Sequence, residues 1–220
     1  MLVADDASGR LSAPTAQVDV ALGGANLLEL TLMNKVDLSG QRDRGKPGRI
    51  IVRDLSPAGD EVLDAALGIV SAHQGKKPSA VIRPLGKNLR RTLYERLALS
   101  GVIRARQGRT LGVFPTRTWP AQDVSHGAQL RRRVTQALVQ QTAPQARSAA
   151  LVALLHALRY EHKIVDPRDW ELSTQLRARA EEIAQGGWAP EAIRQTIGEM
   201  IAAVVAATSA AAAAGSATSG

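Results

Sequence analysis

KNLRRTLYERLALSGVIRARQGRTLGVFP, the stretch from Lys87 to Pro115, carries two structural signals in succession. Leu89, Leu93 and Leu97 recur every four positions and, at 100° per residue, share one side of a helix, whereas Lys87, Arg90, Arg91 and Tyr94 cluster on the other. The spacing predicts an amphipathic helix with a cationic outer face, ended by Ser100-Gly101. Residues 102–106 and 111–114 then flank Gln107-Gly108, which predicts a β-hairpin with glycine at its tip and Trp119-Pro120 closing the unit. Lys87, Arg90, Arg91, Arg96, Arg104, Arg106 and Arg109 stand against Glu95 alone, so residues 87–109 hold +6 of the chain's formal +8. That concentration of charge calls for an anionic partner.

The rest of the composition sets the fold class. The chain has 220 residues, enough for one core of ordinary size, and is 45% hydrophobic but only 3% aromatic. A core made of Leu, Ala, Val and Ile favours packed helices over a sandwich, so the expected fold is mainly α. One domain is expected over residues 1–207, followed by a low-complexity, disordered tail over 208–220. The chain has no cysteine, which removes disulfides and thiolate chemistry and suits a reducing cytoplasm. Asp5 and Asp6 stand where a signal peptide would carry basic residues, and no apolar segment follows them. The run from Ile201 to Gly215 is mostly alanine, too weakly apolar to span a bilayer.

Periodicity places the remaining elements. Residues 1–13 read as a short apolar piece and a turn. A broad helical stripe runs from Thr15 to Asn34 with Gly23-Gly24 inside it, a pair that either breaks the helix or admits another backbone. Residues 36–38 and 50–52 read as strands of a small hairpin around a charged loop. Asp60 is placed to cap a helix beginning at Glu61 and ending near His73 or Gly75. Val81-Ile82 form a short apolar piece before Pro84 opens the central segment. Helices follow over 129–141, 150–160 and 170–185, with a last one from Pro190 to Ala207; the second is apolar nearly all round, the mark of a helix inside a bundle.

Catalytic and metal chemistry find little support. His73, His126, His156 and His162 include no pair at metal-binding helical spacing, and His156 reads as a core histidine. Asp60, Glu61 and Asp64 are explained by a helix N-terminus. With no Walker lysine, nucleophile elbow or dinucleotide fingerprint, a non-enzymatic chain without cofactor or metal is expected. The basic stretch itself admits three readings. It is a solvated face, a winged-helix-like nucleic-acid binder, or a surface for anionic lipid.

Four segments resemble the Golgi phosphoprotein 3 family in order: ALGGANLLELTLMNKVDL (21–38), SPAGDEVLDAAL (56–67), LRRTLYERLALSGVIRARQGRTLGVFPTRTWP (89–120) and ALVALLHALRY (150–160). The resemblance, closest to the compact bacterial-type members, implies a central helical bundle ringed by amphipathic helices, with a small β-hairpin. It also implies a peripheral membrane protein on the inner, cytoplasmic face of a membrane, reading phosphatidylinositol 4-phosphate. In eukaryotic members two basic residues on the helix contact the phosphate, and these positions fall on Lys87 and Arg90. A tryptophan and an arginine complete that pocket; they would fall near Pro14 and on Gly23, so this chain lacks both. The expected lipid head-group contacts are therefore Lys87, Arg90 and Arg91. Arg104, Arg106, Arg109, Leu111, Val113 and Phe114 of the hairpin are expected to touch membrane or a second copy. The alternatives are a nucleic-acid binder, which the resemblance disfavours, and an adaptor that grips protein tails or self-associates through the hairpin.

Overall fold

The computed structural model describes residues 2–43, 45–110, 114–140, 144–160, 170–186, 188–189 and 191–217. The architecture is mainly α, with two small antiparallel hairpins. Helix α1, Thr15–Leu32, lies at its centre, and Leu27, Leu28 and Leu30 are at most 1% exposed. Gly23-Gly24 does not break it. A Cβ on Gly23 would lie 2.1 Å from the Ile82 carbonyl oxygen, and one on Gly24 would lie 2.3 Å from Cγ2 of Val204. Adjacent helical residues point about 100° apart, so the pair admits two neighbouring helices, one on each flank.

The first neighbour is α3, Ser79–Gly86, preceded by the capped helix α2, Glu61–Ala72. The expected short apolar piece before Pro84 is corrected, because Pro84 lies inside α3. Proline forfeits one helical hydrogen bond there. Full burial of Val81, Ile82 and Leu85, roughly 1.5–3 kcal/mol for each side chain, outweighs that loss. Gly86 completes the seam, since its Cβ would meet the Asp19 carbonyl oxygen at 2.1 Å.

The second neighbour is α8, Glu191–Ala217, about 40 Å long at 1.5 Å per residue. Its expected end at Ala207 is corrected. Thr208 is buried and its hydroxyl donates to the Ala157 carbonyl at 3.1 Å, while Ala211 is buried beside it, so tertiary packing carries the helix onward. By length and mean hydropathy the segment from Arg194 to Gly215 could cross a membrane. Ile197, Met200, Ile201 and Val204 are instead buried in the core shared with α1. The Thr31 hydroxyl, on α1, reaches Sδ of Met200 at 3.0 Å.

Strands β1, Val36–Leu38, and β2, Ile50–Val52, fall where the sequence places them and pair Asp37 with Ile51. Lys35, just before β1, is buried with its ammonium saturated: it donates to Asp54 Oδ2 at 2.9 Å, the Ser56 carbonyl at 2.6 Å and the Ser56 hydroxyl at 3.1 Å. A second apolar cluster joins α5, Val124–Val139, α6, Ala146–Ala157, and α7, Trp170–Ala184. Helix α5 starts five residues earlier than expected because Asp123 caps it, accepting from the Ser125 amide at 2.8 Å.

Candidate functional site

The basic segment is built differently from its sequence reading. Helix α4 runs over Leu89–Leu99, so Lys87 is not on it. Lys87 is the extended residue that closes α3, and Asn88 turns the chain with φ 62° before α4 begins. Asparagine tolerates this left-handed conformation better than most residues. The expected single helix from Lys87 is thereby corrected to two helices meeting at a joint, with Lys87 exposed at the corner.

On α4 the cations divide by what they face. Arg90 donates through Nε to Asp19 Oδ1 of α1 at 2.8 Å. Arg96 grips Asp60 with both terminal nitrogens, at 2.9 and 2.5 Å. Asp60 also caps α2 by accepting from the Val62 and Leu63 amides. The Arg96 guanidinium, followed by those amides, holds the Asp60 carboxyl down to about 2. These two arginines moor α4 to α1 and to the head of α2. Lys87 and Arg91 are exposed and have no ion-pair partner among the described residues.

The hairpin is corrected as well. Strand β3 is Arg106–Thr110 and β4 is Phe114–Thr118, with Gly108 opposite Thr116 rather than at the tip. The second strand reaches further down the hairpin than expected, since Arg104 donates its amide to the Pro120 carbonyl at 2.9 Å and Ile103 bridges Ala121, and Gln107-Gly108 therefore lies within the ladder. Arg109 pairs with Pro115 and Phe114 with Thr110 in backbone register, whereas Leu111 and Val113 lie outside the described residues. Arg104 and Arg106 are exposed, also without an ion-pair partner among the described residues.

An aromatic stack fastens hairpin to helix. The Tyr94 and Trp119 rings lie 5.3 Å apart at 27°, and the Arg117 guanidinium covers Trp119 at 4.6 Å. Burial raises the Tyr94 phenol above its ordinary value, and the Asp19 charge adds to this against the pull of Arg90. Tyr94 therefore faces the hairpin, where the helical wheel groups it with Lys87 and Arg91. Leu99, the last residue of α4, is 90% exposed; nothing in the leucine periodicity singles it out.

Gly23, the position where the family resemblance would place an arginine, sits in the α1–α3 seam. Even a β-carbon has no room there, so no head-group ligand can project from it. Pro14, the other such position, is an exposed residue preceding α1. Among the described residues no group of three or more His, Asp or Glu is placed to hold a metal. His73 Nδ1 lies 2.8 Å from the Ile69 carbonyl and His126 Nδ1 lies 3.1 Å from Asp123 Oδ2. His162 lies outside the described residues.

A family model described as Golgi phosphoprotein 3 (GPP34) matches residues 1–200. No curated protein matches the chain.

Proposed function

Because the chain belongs to the Golgi phosphoprotein 3 family, we propose that it is a non-enzymatic peripheral membrane protein that docks from the cytoplasmic side on phosphoinositide or other anionic lipid head groups. The supporting observation is the division of cations: Arg90 and Arg96 are paired with Asp19 and Asp60 of the same chain, whereas Lys87 and Arg91 stand exposed beside the Asn88 joint with no ion-pair partner among the described residues. Arg104 and Arg106 extend the same charge along the base of the hairpin. Docking is electrostatic at first, each juxtamembrane cation contributing about 1 kcal/mol at an anionic leaflet and losing it to salt. Leu99 adds an exposed apolar side chain able to enter the interface. With Gly23 closed to any ligand, charge and a phosphate contact carry recognition, and a pocket shaped for the 4-phosphate is incomplete.

Vesicle flotation tests this reading. Lys87→Ala/Arg91→Ala should weaken binding to phosphatidylserine vesicles about 30-fold, the equivalent of two such cations, while leaving the melting temperature within about 2 °C of wild type. Binding of the double variant at the wild-type level overturns the site. Equal binding to phosphatidylinositol 4-phosphate and to phosphatidylserine at matched charge is the expected lipid profile. Duplex DNA bound more tightly than either would favour the nucleic-acid reading.

A further inference from the structure

A second basic feature lies apart from α4. The loop between β1 and β2 and the turn between α2 and α3 enclose a cleft of about 580 Å³, lined among others by Asp43, Gly45, Lys46, Arg49, Gly75 and Lys76. Backbone bonds hold its two walls together. The Ile50 amide donates to the Lys76 carbonyl at 2.9 Å, and the Gly75 amide donates to the Ile50 carbonyl at 2.9 Å. Ser39 pins the loop from within, its hydroxyl donating to the Lys46 carbonyl at 2.7 Å and accepting from the Arg49 amide at 2.9 Å. The cleft is thus a feature of the fold rather than of loose side chains.

Its charge is one-sided. Lys46, Arg49 and Lys76 line it and have no ion-pair partner among the described residues. Asp43 is the sole carboxylate among the described residues of the lining, and it is already engaged. Both terminal nitrogens of Arg53 donate to it, at 3.1 and 3.2 Å, and the Gly40 amide donates at 2.9 Å. Arg53 is itself shared with Asp37. Glu199 approaches the loop at Gly48 but does not line the cleft. Three unneutralised cations therefore face a space of the size that takes a small ligand. Exposed Lys77 follows in the chain.

We propose that this cleft is a second anion site that takes a ligand bearing a phosphate monoester or diphosphate. Lysine ammonium groups are the usual point-charge partners of such oxygens, and arginine offers a two-pronged donor. The site is distinct from the α4 face: α3 separates the Lys76 turn from Lys87 by about 12 Å of helix, so one small ligand does not span both. It does not rest on the lipid reading.

The probe is inorganic pyrophosphate, titrated calorimetrically into the full chain. Lys46→Ala/Lys76→Ala is expected to weaken its binding about tenfold or more, because two charged contacts are lost. Both side chains are exposed, so the melting temperature should hold. The charge-matched control Arg132→Ala/Arg133→Ala, on the outside of α5, should bind as wild type does. Flotation on phosphatidic acid vesicles then separates the sources of the phosphate. A loss in calorimetry alone assigns a soluble ligand, and a loss in both assigns a lipid head group; either upholds the site. Wild type that fails to bind millimolar pyrophosphate, or equal weakening in the control, overturns it.

Discussion

The α1–α3 seam and the outer face of α4 meet at the same two residues, Lys87 and Asn88, and make opposite demands on their side chains. In the seam, Gly23 and Gly86 each face a backbone oxygen that a β-carbon would approach to 2.1 Å, so the chain there has no freedom of residue type. On the outer face Arg91 is exposed, with no partner among the described residues. Between the two stands Arg90, tied to Asp19, whose carbonyl oxygen is the atom that a β-carbon on Gly86 would meet. The seam is a precondition for the face, because it sets the angle at which α4 leaves the core. The lesson is that neighbouring cations on one short helix do different work according to what the packed side supplies.

The largest expected effect comes from breaking the seam. Gly23→Ala forces the α1 and α3 backbones apart and should lower stability by roughly 3 kcal/mol, read as a fall in Tm on the order of 10 °C. Gly23→Arg should be worse still and should not gain lipid affinity, although the family resemblance would place an arginine there. A stable Gly23→Arg protein with tighter vesicle binding would reverse the assignment of this position from packing to ligand contact.

A smaller effect should follow from converting a moored cation into a free one. Asp19→Asn removes the partner of Arg90 and one negative charge from beside the face. A part-exposed pair of this kind contributes about 0.2–1 kcal/mol, so stability should fall only slightly. Flotation on anionic vesicles should meanwhile strengthen, by roughly fivefold if the freed arginine gains the usual interfacial energy of about 1 kcal/mol. Unchanged flotation would mean that Arg90 faces the core too fully to reach a bilayer, and would confine the site to Lys87 and Arg91.

These features differ in how far they could be read ahead of the structure. Strands 36–38 and 50–52, the Asp60 cap and the family were legible because each depends on local chemistry or on several segments in order. The pairing of adjacent glycines was legible as an alternative, and tertiary contact decided it. The joint at Asn88 was not, because Leu89, Leu93 and Leu97 keep helical spacing whether or not Lys87 belongs to the same helix. Register in the hairpin was missed since Gln107-Gly108 looks like a turn, while the Ile103–Ala121 bridge that moves it depends on contacts beyond the strands. The mooring of Arg90 and Arg96 links residues 71 and 36 positions apart, and charge counting has no access to such partners. For the same reason the buried, saturated Lys35 left no trace in composition.

The finest distinction concerns Arg96, which pairs with Asp60 at the head of α2, and acid is the means to test that pair. Asp60 is held down to about 2 in the folded chain, first by Arg96 and then by the α2 amides, against an ordinary value near 3.8. A carboxyl with a depressed folded pKa stabilises the fold above its unfolded value and loses that contribution as pH falls toward the folded one. The contribution should therefore be complete above about pH 4 and vanish as pH approaches about 2. Asp60→Asn keeps a good capping residue while deleting the charge, which isolates the ion pair from the cap. The melting temperature of wild type should exceed that of the variant at pH 6 by a few degrees at most, as suits a pair of this exposure, and the gap should close between pH 4 and pH 2. Equal melting temperatures of the two proteins at pH 6 would show that Asp60 acts through its cap alone. Arg96 would then be free to join Lys87 and Arg91 on the lipid side, and the division between moored and free cations on α4 would have to be redrawn with Arg90 as its only moored member.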